Sequence, residues 1–138
     1  MKRSPLDTNV ILRYLVEDPA TIGSTFKGVY SFFGKLERGD CHAHLAELVL
    51  FQTFFVLTSY YKVPPGEAAE KLVRLLAFKG LYLAEKDIAI ACLSRLQREK
   101  IDLVDAYLLA WCERHGSDEV YSFDDGLRKR GLTLLAVQ

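Results

Sequence analysis

SPLDTNVILRYL, residues 4–15, breaks an apolar stretch with a carboxylate, a hydroxyl and an amide, and then resumes it. Leu6 leads into Asp7, Thr8 and Asn9, and an amphipathic run from Val10 to Leu15 follows at once. A helix cap explains the triplet, because such side chains accept from the free amides of a first helical turn. A catalytic carboxylate delivered by the end of a strand explains it as well. What the rest of the chain places beside Asp7 decides between them.

Working outward, punctuation is regular. Asp18-Pro19 is expected to end one helix and start another, since proline suits a first helical position, and Gly39 closes that second helix. Pro64-Pro65-Gly66 separates two more, and Gly80 and Gly116 read as C-terminal helix residues. Between these marks the apolar residues recur at helical spacing, as in Phe26, Val29, Phe32, Phe33 and Leu36. Glu47 to Tyr61 is apolar nearly all round, which predicts a central, buried helix. Glu67 to Phe78, Asp87 to Arg98 and Leu103 to Arg114 read as further amphipathic helices. Short extended segments alternate with them: up to Leu6, Cys41 to Leu45, Leu81 to Ala84, Glu119 to Ser122 and Leu132 to Val137. Alternation of this kind predicts an α/β domain with a mostly parallel sheet, and the last strand's direction stays open.

The bulk composition sets limits. The 138 residues fit one domain, 1–138, with a real core. Lys plus Arg equals Asp plus Glu, 18 against 18, so no global basic field exists to hold nucleic acid, and any such binding needs a local patch. Cys41, Cys92 and Cys112 are an odd number at wide spacing, which argues against a disulfide framework and for a reducing compartment. MKRSPLDTNV does not read as a secretory signal, and the apolar Leu48–Leu57 segment is short and interrupted by Gln52 and Thr53. The expectation is a cytoplasmic protein with no membrane contact.

The acidic residues then fall into a pattern. Asp7 closes the first strand, Glu47 stands in the first turn after the second, Asp102 and Asp105 open the helix before the fourth strand, and Asp124 and Asp125 follow that strand. Carboxyl ends of parallel strands share one edge of a sheet, the edge at which open α/β sheets bind ligands. Carboxylates brought together there repel unless protonated or bridged by a cation. Oxygen donors without a matching His/Cys set favour Mg²⁺ or Mn²⁺. Such ions activate water and stabilise charge on a phosphate, which makes a polynucleotide phosphodiester a natural substrate class. The plainer readings stand beside this one. Asp7 can be only a cap; Asp102 is favoured as one, with Asp105 open to either role; Asp124-Asp125-Gly126 can be only a turn. Glu47, set among Leu45, Ala46, Leu48, Val49 and Leu50, is harder to dismiss, because an unpaired buried carboxylate is costly.

LDTNVILRYL at 6–15, AELVLFQTFFVL at 46–57, IDLVDAYLLAW at 101–111 and YSFDDGLRK at 121–129 resemble, in order, the motifs of PIN-domain ribonucleases. The resemblance is closest to VapC-type toxins of prokaryotic toxin–antitoxin pairs and runs nearly end to end. It implies a three-layer α/β/α domain around a mostly parallel central sheet of about five strands. It implies a metal-dependent endoribonuclease that leaves a 5′-phosphate and a 3′-hydroxyl, with Asp7, Glu47, Asp105 and Asp124 as the acidic quartet. Asp102 matches a frequently acidic position, and Thr8, Asn9 and Ser122 match supporting polar ones. Homodimerisation is also implied, as is inhibition by a cognate antitoxin. Three departures stand out: Pro5 in the strand that aims Asp7, the extra acid Asp125, and His42 and His44 in the second strand.

Other features weigh less. Cys41-His42-x-His44 and Cys112-x-x-His115 do not match zinc-finger spacing, and Cys92 and Cys112 read as core cysteines. No glycine-rich phosphate loop is present, and residue 9 lacks the second aspartate of a phosphoryl-aspartate motif. Arg13, Arg128 and Lys129 are candidate contacts to RNA phosphates, with a merely solvated basic surface as the equal alternative. Tyr60 and Tyr61 are expected to pack at a helix end, and Phe51, Phe54 and Phe55 to lie in the core or a dimer interface. The second functional reading, from another class, is a PIN-like binding module whose acidic pocket recruits an antitoxin or another basic partner.

Overall fold

The computed structural model describes residues 3–138; Met1 and Lys2, including the part of the expected first strand that falls on Lys2, lie outside the described residues. The chain alternates short strands with helices: β1 (Ser4–Pro5), α1 (Thr8–Val16), α2 (Gly28–Arg38), β2 (Ala43–His44), α3 (Glu47–Ser59), α4 (Pro65–Leu76), β3 (Leu81–Tyr82), α5 (Lys86–Arg98), α6 (Leu103–His115), β4 (Glu119–Tyr121), α7 (Asp125–Lys129) and β5 (Thr133–Leu135). This is the three-layer α/β/α arrangement expected. All described strand pairs are parallel, in the orders β1-β2-β3 and β4-β5, which settles the direction of the last strand.

Pro5 lies inside β1, opposite His44. The Leu6 amide donates to the His44 carbonyl at 2.9 Å. Backbone groups of successive strand residues point to opposite edges, so the proline nitrogen faces away from β2 and costs the ladder no bond. It also leaves β1 without a donor at that point on its outer edge, and among the described residues the β1-β2-β3 and β4-β5 ladders are not hydrogen-bonded to each other. Strand alternation turns Ala43, Leu45, Leu81 and Leu83 into the core. It puts His44 and Tyr82 on the other face, where their rings are 5.7 Å apart and the Arg3 guanidinium lies 4.2 Å from the Tyr82 ring centre.

The main core gathers Ile11, Phe33, Leu36, Leu45, Leu50, Leu57, Leu72, Leu75, Ile88 and Leu93. A smaller cluster of Leu109, Cys112, Leu127 and Leu132 packs with Val120 and Leu134. Helix α6 serves both, with Ala106 and Ala110 in the first and Leu109 and Cys112 in the second. That double duty explains its apolar character on more than one side.

Several expectations are corrected. No helix starts at Pro19: the Asp18 carboxylate accepts from the Ala20 amide at 2.9 Å and turns the chain, a 3₁₀ turn covers Ser24–Phe26, and α2 begins only at Gly28. Thr21, Gly23, Ser24 and Thr25 are weak helix formers, and Asx turns compete with helix for the backbone. Pro65 is not only a separator but the first residue of α4. Gly39 and Gly116 do end helices in the left-handed conformation, at φ 83° and 65°. Gly80 does not; α4 is capped at Ala77, and Gly80 instead lies where a Cβ would overlap the Cys41 carbonyl oxygen. Helix α3 is not buried all round. Leu50, Thr53, Phe54 and Leu57 face the core, whereas Leu48 and Phe55 are 80% and 65% exposed. Among the described residues, nothing covers its apolar outer face at Leu48 and Phe55. Tyr60 and Tyr61 are exposed, their rings meeting edge-on at 4.8 Å instead of packing into the helix end.

Candidate active site

Asp7 follows β1 across Leu6 and caps α1 in extended conformation, its Oδ1 accepting from the Thr8 amide at 2.7 Å. The side chain is exposed at the carboxyl end of the strand. Thr8 is buried and its hydroxyl donates to Gln52 Oε1 at 3.4 Å, tying α1 to α3. Asn9 is exposed and lines a cavity of about 380 Å³ with Arg13, Phe26 and Phe32. Arg13 is already engaged there: its guanidinium pairs with Glu17 at 2.9 Å and lies 3.9 Å from the Phe26 ring centre.

A second group forms at the starts of α6 and α7. Asp102 caps α6, accepting from the Val104 amide at 3.2 Å. Asp105, in the same first turn, is half-buried. Asp124 caps α7, accepting from the Gly126 amide at 2.8 Å, and its own amide donates to Ser122 Oγ at 2.9 Å. Burial pushes the Asp105 carboxyl above the usual carboxylate range, and the charges of Asp124 and Asp102 and a side-chain hydrogen bond with Asp124 add to this, against the pull of Arg130. Two carboxyls from separate segments thus lie near enough to repel, with Arg130 opposing that repulsion at Asp105, a situation that favours a shared proton or a bound ion.

Glu47 is the first residue of α3, behind Ala46, which offers no side-chain cap. Tyr107 of α6 donates from its hydroxyl to Glu47 Oε2 at 3.2 Å. Burial and the Glu47 charge push the phenol up to about 12. Tyr107 stands two residues after Asp105, and side chains two apart on a helix project to different sides. Glu47 also lines an open cleft of about 370 Å³ with His44, Leu83 and Glu85. Glu85 caps α5 in the left-handed region, φ 53°, unusual for a residue with a side chain.

The structure therefore brings Asp105 to Asp124 and Asp102, and Glu47 to Tyr107. Among the described residues no group of three or more His, Cys, Asp or Glu side chains stands close enough to hold a metal ion as placed. The donor chemistry fits a hard divalent cation: hard oxygen ligands, and at Asp105 a like-charge repulsion that a cation would relieve. Cys112 is buried while His115 is exposed with its ring 4.2 Å from that of Trp111, so the two diverge. Arg128 pairs with Asp125, and Lys129 is exposed. Sequence reasoning missed Tyr107 and Glu85. Tyr107 lies within IDLVDAYLLAW, but no spacing rule links it to a carboxylate sixty positions earlier.

One protein family, described as PIN domain, matches residues 6–131. No curated protein and no solved structure matches the chain.

Proposed function

Because the chain belongs to the PIN domain family, a nuclease-type fold that is generally metal-dependent, we propose that it is a Mg²⁺- or Mn²⁺-dependent endoribonuclease. In this reading residues 1–138 form a single PIN-like domain, the toxin of a VapBC-type pair acting in the cytoplasm. The observation that carries it is the family match over residues 6–131, which spans all four acidic residues, with Asp105 near enough to Asp124 for that charge to help raise its carboxyl. Asp7, Glu47, Asp105 and Asp124 would hold the metal. When bound, the ion supplies an activated water and takes up charge developing on the phosphate. Asp102 shapes the first turn of α6, Ser122 fixes the backbone at Asp124, and Thr8 anchors the start of α1 against α3. Lys129, Arg128 and Arg13 are the proposed contacts to RNA phosphates, Arg128 and Arg13 by exchanging their ion pairs with Asp125 and Glu17.

A cognate antitoxin is the expected inhibitor, with a basic segment matching the acidic edge. A homodimer is the expected assembly. Leu48, Phe55 and, on the neighbouring turn of α6, Val104 at 60% exposure supply an apolar surface suited to a second copy. No described helix is long and apolar enough to cross a membrane.

Cleavage of structured RNA with Mg²⁺, compared between the parent and Asp7→Asn, tests the assignment; equal cleavage by both sinks it. A gene for a small DNA-binding protein directly upstream supports the toxin role. The second reading is a binding module with little turnover; among the described residues no three His, Cys, Asp or Glu side chains stand within ligand distance of one another as placed. A thermal shift on Mn²⁺ titration separates them: no shift favours the module.

A further inference from the structure

We propose that Tyr107 is the positioning residue for Glu47, holding that carboxylate in place for a divalent cation; this rests on the metal-dependent nuclease reading above. Glu47 begins α3 behind a residue with no capping side chain, so its carboxylate is free to swing toward the unsatisfied amides of its own first turn. Tyr107 takes it instead. Its hydroxyl donates to Oε2 at 3.2 Å and leaves Oε1 available. The phenol ring is itself fixed, because Phe51, one turn after Glu47 on α3, meets it edge-on at 5.6 Å. Leu103 and Val104 of α6 complete the apolar wall around this contact. Helix α6 thus carries Asp105 and, two residues on, the group that locks Glu47. The two side chains project to different sides of the helix, so the hydrogen bond sets Glu47 without engaging Asp105. Ligand carboxylates are commonly oriented by such a hydrogen bond, and its removal lowers metal affinity about 10–100-fold.

The test uses the full chain and Mn²⁺ alone, with affinity read by calorimetry for the parent, Tyr107→Phe and Glu47→Gln. Tyr107→Phe keeps the ring and its contact with Phe51. The expected result is Mn²⁺ binding about tenfold weaker or more, with a melting temperature close to the parent's. Restoring the hydroxyl by reverting the substitution returns the affinity. Parental affinity in Tyr107→Phe, with binding lost in Glu47→Gln, overturns the positioning role alone and leaves the nuclease reading intact. Parental affinity in Glu47→Gln removes Glu47 from the ligand set and the proposal with it. No Mn²⁺ binding by the parent overturns both. A measurement without substitution guards against a variant that does not fold: substoichiometric Mn²⁺ should selectively broaden the Tyr107 and Phe51 ring resonances of the parent, and unbroadened Tyr107 signals count against the proposal.

Discussion

Replacing Gly80 by alanine tests how tightly the site-bearing strands are set. Gly80 stands just before β3, pressed against the end of α2 and the start of β2. A Cβ there would overlap the Cys41 carbonyl oxygen and stand 3.0 Å from that of Leu36, both backbone atoms that cannot rotate away. Relief requires β3 to move from β2, and the bonds at risk are Gly80 N–H to Leu36 O at 2.7 Å and Ala43 N–H to Gly80 O at 2.9 Å. Overpacking costs about 1–3 kcal/mol, and each weakened bond adds about 1 kcal/mol. The sum is about 3–5 kcal/mol, a large share of the roughly 5–15 kcal/mol that holds a domain folded. For a chain of this length that is a fall in melting temperature of roughly 10–20 °C. Because β2 runs straight into Glu47, the same displacement should weaken Mn²⁺ binding in whatever fraction stays folded. Thermal and urea denaturation, followed by circular dichroism, read the effect. A drop under roughly 3 °C would mean that β2 and β3 are not packed as described.

Three further outcomes follow from particular contacts. Pro5→Val should leave the melting temperature within about 3 °C of the parent's, because the proline nitrogen points away from β2 and no ladder bond depends on it; a larger loss would place that nitrogen on the β2 side. Asp124→Asn retains a good capping residue for α7 but removes the charge that raises Asp105. A raised folded-state pKa means that the metal-free protein gains stability from this group as pH falls, so the variant should be at least as stable as the parent at pH 7 without metal. Mn²⁺ at about 100 times its Kd should raise the parent's melting temperature by roughly 8 °C and the variant's much less, and the parent's gain should shrink as pH falls and protons compete at the raised Asp105 carboxyl. On the proposed homodimer, the parent should sediment as a dimer and Phe55→Glu as a monomer without loss of helix content, since the side chain is 65% exposed in the single chain; a monomeric parent would overturn the proposed assembly, and an unchanged dimer would move the interface elsewhere.

What the sequence determined by itself was everything set within a few residues. Alternating periodicity predicted the α/β order, and Gly39 and Gly116 could be read as helix ends because only glycine takes φ 83° and 65° without strain. Asp102 could be read as a cap from its place before an apolar run. Each acidic residue could be placed after a strand or at a helix start because those are local features. Packing across the chain decided the rest. Gly80 looks like another helix end until the approach of the Cys41 carbonyl is seen. Pro5 looks like an error in a central strand until the Leu6 amide shows which edge its nitrogen faces. Leu48 and Phe55 look buried because hydrophobicity alone does not say whether a helix is covered on its outer side. The partner of Glu47 comes from Tyr107, far along the chain, and whether two such side chains meet depends on how α3 and α6 pack, which no periodicity or local propensity encodes.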